Sequence, residues 1–71
     1  MPHIIINIAQ GNCRNKMDLA QKIHDLVESQ LQIQGGDISV SVKEIPRDEW
    51  MQFISTIPKS EMVIEPKYSI K

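Results

Sequence analysis

The sequence predicts an α+β fold: a β-α-β unit of two parallel strands and one long helix, with a short second helix and a C-terminal tail, completed by oligomerisation. Three observations predict it. An isoleucine-rich run opens the chain, and strict polar–apolar alternation occupies residues 38–44. Between them, apolar residues recur at helical spacing. A strand, a long helix and a second strand in that order join as a parallel pair with a right-handed crossover.

The first strand covers His3–Ala9. Pro2, Ile4, Ile6 and Ile8 share one face, while Ile5 lies on the other between His3 and Asn7. Apolar residues on both faces point to a sheet covered on both sides. His3 reads as a strand residue near the sheet end. Gln10-Gly11-Asn12 is a break, and Asn12 or Asn15 caps the helix that follows, with Asp18 three residues beyond Asn15. Leu19, Ala20, Ile23, Leu26, Val27 and Leu31 form the apolar stripe, against Asp18, Gln21, Lys22, Asp25, Glu28 and Ser29 on the other face. The pattern runs for roughly five turns. His24, beside the polar face, reads as solvated, and Cys13 as a bystander thiol.

Gly35-Gly36 is expected to end the helical region and open the turn into the second strand. There Ile38, Val40 and Val42 point inward and Ser39, Ser41 and Lys43 outward. Pro46 opens a short helix whose first turn holds Asp48 and Glu49. Trp50, Phe53, Ile54 and Ile57 make its apolar face. Met62-Val63-Ile64 reads as a short strand, and residues 65–71 as an irregular tail. No internal repeat or linker interrupts this single domain, which spans residues 1–71.

Composition narrows the function classes. A chain of 71 residues has a limited core and leans on partners for further burial. One cysteine excludes an internal disulfide and suits a reducing, cytoplasmic compartment. One Cys and two His show no metal-ligand spacing, so no metal is expected. The net charge is -1, and the two arginines, Arg14 and Arg47, form no basic stripe. Nucleic acid is therefore not an expected partner. No aliphatic run exceeds Ile4–Ile6, so neither a leader nor a membrane span is expected.

The residue with distinctive chemistry is Pro2. If Met1 is removed, Pro2 presents a terminal secondary amine at the start of an apolar strand. An α-amino group titrates near ~8 unperturbed, and desolvation disfavours its charged form. Such a nitrogen is suited to act as a general base near neutral pH.

Taken together, the motifs are similar to the 4-oxalocrotonate tautomerase family. The resemblance rests on Met1-Pro2 before an isoleucine-rich strand, the long helix, and the strand Asp37-Ile38-Ser39-Val40-Ser41-Val42-Lys43-Glu44. Ile45-Pro46-Arg47-Asp48-Glu49-Trp50 and the ending Pro66-Lys67-Tyr68-Ser69-Ile70 look most like its PptA-type branch. The resemblance implies an isomerase that moves a proton in a keto–enol acid, with Pro2 as the base and Trp50 lining the pocket. It also implies that no cofactor is needed, because the substrate carbonyl is the electron sink. The family holds its substrate with one arginine in the first loop and one in the second strand. Those sites fall here at Asn12 or Cys13, and at Ser39.

Ser39, Asn12, backbone amides at the helix start and Arg14 are thus the candidate donors to the developing oxyanion. An aryl or mono-acid substrate suits this set better than a dicarboxylate. The implied assembly is a homodimer, or a hexamer built from three such dimers. Two other readings share the scaffold. One is a non-catalytic oligomer that binds small ligands. The other is a dehalogenase or decarboxylase, with Glu44 and Glu49 as its candidate carboxylates.

Overall fold

The computed structural model describes residues 1–66. The readings placed on residues 67–71, including most of the ending quoted above, lie outside them. The order is β1 (His3–Ala9), α1 (Lys16–Leu31), a 3-10 turn (Gly35–Asp37), β2 (Ser39–Ile45), a second 3-10 turn (Arg47–Glu49) and α2 (Trp50–Ser55). β1 and β2 pair in parallel, in register from His3 opposite Ser39 to Ala9 opposite Ile45. The β-α-β unit is therefore as predicted, with β2 shifted by one residue.

That register sorts the two faces. Ile4 lies opposite Val40 and Ile6 opposite Val42, all half-buried. α1 packs against β2. Lys16, in its first turn, is bonded to Glu44 of β2 at 2.7 Å. The other face carries His3, Ile5, Ser39, Ser41 and Lys43, all exposed over most of its length. Its C-terminal end is different, because Ile45 is buried there. Ile45 lines a groove with Pro46, Gln52 and Phe53 where α2 meets the end of β2.

α1 starts where Asn15 accepts a hydrogen bond from the backbone N–H of Asp18 at 2.9 Å, as a capping residue should. Its sixteen residues give about four and a half turns. Its end differs from the expectation. The C-cap is Gln32, a non-glycine residue in the left-handed region (φ 54°). Gly35-Gly36 instead belongs to the 3-10 turn entering β2. A Cβ at Gly35 would lie 2.5 Å from a Glu28 carboxylate oxygen and 2.9 Å from the His24 ring, so a larger residue there would displace both side chains.

His24 is likewise not simply solvated. Its Nε2 donates to the Gly35 carbonyl at 2.8 Å and its Nδ1 to Asp25 at 3.1 Å, tying α1 to the approach of β2. Leu26 and Leu31 stay more than half exposed, since a two-stranded sheet is too narrow to cover the whole helical stripe. Met62-Val63-Ile64 is not a strand. Turns occupy residues 59–61 and a bend residues 63–64, and Val63 and Ile64 stand in solvent.

The described residues have a small core, with Ile38 and Ile45 its buried apolar members. They bracket β2, one just before it and one at its last position. No helix among the described residues is long and apolar enough to cross a membrane.

Candidate active site

The candidate residues divide between the two ends of the sheet. Pro2 and Ser39 lie at the N-terminal end, joined by a backbone hydrogen bond from the Ser39 N–H to the Pro2 carbonyl at 3.2 Å. Pro2 is half-buried, while Met1 is fully exposed. The Ser39 hydroxyl is engaged with His3. The His3 ring nitrogens lie 2.6 Å from the Ser39 Oγ and 3.0 Å from the Ser41 Oγ. A neutral imidazole serves both, donating to one hydroxyl and accepting from the other.

Asn12, Arg14 and Trp50 lie beyond the C-terminal end of the strands, in the β1–α1 loop and in the segment after β2. The seven residues of β1 separate the two groups by about 20 Å at roughly 3.3 Å per residue. One protomer therefore does not bring Pro2 together with Asn12, Arg14 or Trp50.

The C-terminal end is built tightly. Gln10 N–H donates to the Ile45 carbonyl at 2.8 Å, and Asn12 N–H to the Ala9 carbonyl at 3.1 Å. Gly11, at φ 88°, takes the left-handed turn that lets the loop double back. Lys16 and the Gly11 backbone hold the Glu44 carboxyl below the usual carboxylate range, with Lys16 the larger cause. Trp50 and Phe53 are half-buried and lie with ring centroids 5.8 Å apart, tilted by 35°. Their separation is in the range at which aromatic pairs attract.

Arg47 is the residue that sequence reasoning passed over. Its Nε donates to the Gln10 carbonyl at 2.9 Å and its Nη2 to the Asn12 Oδ1 at 3.3 Å. It thus brings a guanidinium to the first-loop position where the chain itself has Asn12. A signal for it was present: one of only two arginines directly follows the second parallel strand. Loops at the carboxyl ends of parallel strands are where ligands bind in open α/β sheets.

Elsewhere, His24, Asp25 and Glu28 bring potential ligand atoms within 4.8 Å of one another. Both His24 nitrogens are already engaged, Nε2 by the Gly35 carbonyl and Nδ1 by Asp25.

No family model matches the chain. A curated protein of Xylella fastidiosa (strain 9a5c), described as a probable tautomerase, is 36% identical to it over 53 residues. The match takes in 73% of this chain and 65% of that relative, so the chain spans just under two thirds of the relative's length. With the parallel β-α-β unit, this match supports a place for the chain among tautomerases of the 4-oxalocrotonate tautomerase type.

Proposed function

We propose that this chain is a cofactor-independent enol–keto tautomerase of the PptA type, with Pro2, freed by removal of Met1, as its general base. The substrate class is a small 2-keto acid or aryl enol. The nitrogen takes the enol O–H proton, the C–O bond becomes a carbonyl, and the former double bond accepts a proton at carbon. The product differs from the reactant in the position of one hydrogen and of one double bond. General acid–base catalysis of this kind contributes roughly 10²–10⁴-fold.

The observation that carries the reading is the state of Pro2. It is half-buried on the apolar strand face and fixed through its carbonyl to Ser39, while Met1 stands fully in solvent. A held, partly desolvated amine suits a base that must be neutral near pH 7. The tautomerase relative supports the same chemistry.

The site is completed by a second copy. In a homodimer of antiparallel protomers, the C-terminal end of one sheet meets the N-terminal end of the other. That arrangement sets Asn12, Arg14 and Trp50 of one protomer beside Pro2 of its partner. It also answers the small core, since two open sheets become one.

The test is the tautomerisation of phenylenolpyruvate by protein whose intact mass shows Met1 removed. Pro2→Ala should lose at least roughly 10²-fold in kcat. The pH profile of the parent kcat/KM should show one base titrating below a free proline peptide. Full activity in Pro2→Ala refutes the assignment.

A further inference from the structure

We infer that Arg47 is the carboxylate-binding residue of this site, gripping the acid group of the substrate through the Nη1–Nη2 edge of its guanidinium. The inference rests on the tautomerase reading and names a residue that the sequence comparison with the family leaves out.

A guanidinium has five N–H donors in a rigid plane. Two of Arg47's are engaged, both by the β1–α1 loop: Nε–H by the Gln10 carbonyl and one Nη2–H by Asn12. These belong to the same edge of the fork. The opposite edge, with both hydrogens of Nη1 and the second of Nη2, has no hydrogen-bond partner among the described residues. That edge matches a carboxylate in bidentate geometry.

The charge is also available. Lys16 is matched by Glu44 and Lys22 by Asp18, but Arg47 forms no ion pair among the described residues. Arg14 lacks a carboxylate too, yet nothing among the described residues fixes its side chain. The loop therefore pre-orients Arg47 and not Arg14, and pre-orientation lowers the ordering cost of binding.

The neighbouring wall gives the rest of the ligand's chemistry. Arg47–Glu49 is a 3-10 turn that continues into Trp50, whose N–H bonds to the Arg47 carbonyl. Residues three apart in such a turn project on the same side. Arg47 and Trp50 thus fall on one side of that turn, a placement that suits an aryl or alkyl 2-keto acid with a single carboxylate.

The experiment compares phenylenolpyruvate with its methyl ester, which lacks the charge. Arg47→Gln should lower kcat/KM for the acid roughly 10- to 100-fold, the loss expected for a charge-assisted pair, and leave the ester nearly unchanged. Arg47→Lys, which keeps the charge but loses the fork, should raise KM for the acid by a smaller factor. Mere loosening of the loop would slow both compounds alike. An acid-to-ester ratio that survives in both variants overturns the proposal.

If the parent protein turns over neither compound, the tautomerase reading fails. Arg47 is then judged by phenylpyruvate binding, followed through the fluorescence of the single tryptophan. Binding weakened in Arg47→Gln supports the role, while equal binding, or none to the parent, overturns it.

Discussion

Replacing Ile45 with alanine tests how the small core holds the fold. Ile45 is 5% exposed. Truncating a buried isoleucine to alanine costs about 2–5 kcal/mol, from lost transfer energy plus the cavity left behind. A domain of 71 residues has only roughly 4–10 kcal/mol in total, at about 0.05–0.15 per residue. One substitution at the end of β2 therefore removes a large share of the stability. Ile5 is the matched control, with the same side chain in the same sheet but 62% exposed. Its truncation leaves no cavity and loses about 1 kcal/mol or less of burial in a single protomer.

The assay is urea unfolding read by Trp50 fluorescence at two protein concentrations tenfold apart. With a slope near ~1 kcal/mol per molar for a small domain, Ile45→Ala should lower the midpoint by about 2 M or more, at both concentrations. A larger effect of Ile5→Ala that shrinks on dilution would show a second copy burying that side chain. Two results refute this reasoning. One is a cost below about 1 kcal/mol for Ile45→Ala, far short of the range for a buried isoleucine. The other is a large cost for Ile5→Ala that dilution leaves untouched.

Two further perturbations address local devices. Asn15→Ala removes the acceptor for the Asp18 N–H and should destabilise the protein by about 1 kcal/mol, visible as a lower urea midpoint with less helical circular dichroism. Stability should also depend on pH through His24, whose pKa is raised by its bond to the Gly35 carbonyl and then by Asp25. A raised folded-state value means its contribution is complete below the ordinary 6.5 and lost as pH climbs through the higher folded value. Asp25 and Glu44 are lowered, by His24 and Lys16 first, so their contributions are lost in acid instead. His24→Gln should flatten the alkaline slope and leave the loss due to Glu44, and an unchanged alkaline slope would remove His24 from that role.

The parts of the fold legible in the sequence are those set by local periodicity. An isoleucine-rich run marked β1, alternation marked β2, and i, i+3, i+4 spacing with Asn15 and Asp18 marked α1. What escaped depends on contacts between distant residues. Arg47 meets Gln10 and Asn12 across more than thirty residues, and no spacing rule connects them. His24 sat beside a polar stripe, so nothing in its neighbours foretold the Gly35 carbonyl eleven positions on. The Gly35-Gly36 pair carried a turn signal, but nothing local foretold the crowding of position 35 by Glu28 and His24. Of the candidate site, the terminal position of Pro2 was legible, and its role as a base is the proposal made above. Its distance from Asn12, Arg14 and Trp50 became apparent only once the parallel register was known.

The two-stranded sheet has a cost in the lone chain. Among the described residues each strand has one hydrogen-bonded neighbour, so the outer rim of each presents backbone amides and carbonyls in an extended row. In dilute solution water satisfies those groups. As chains accumulate during synthesis, such a rim can template strand addition from other chains. A charge placed on the rim would guard against that addition.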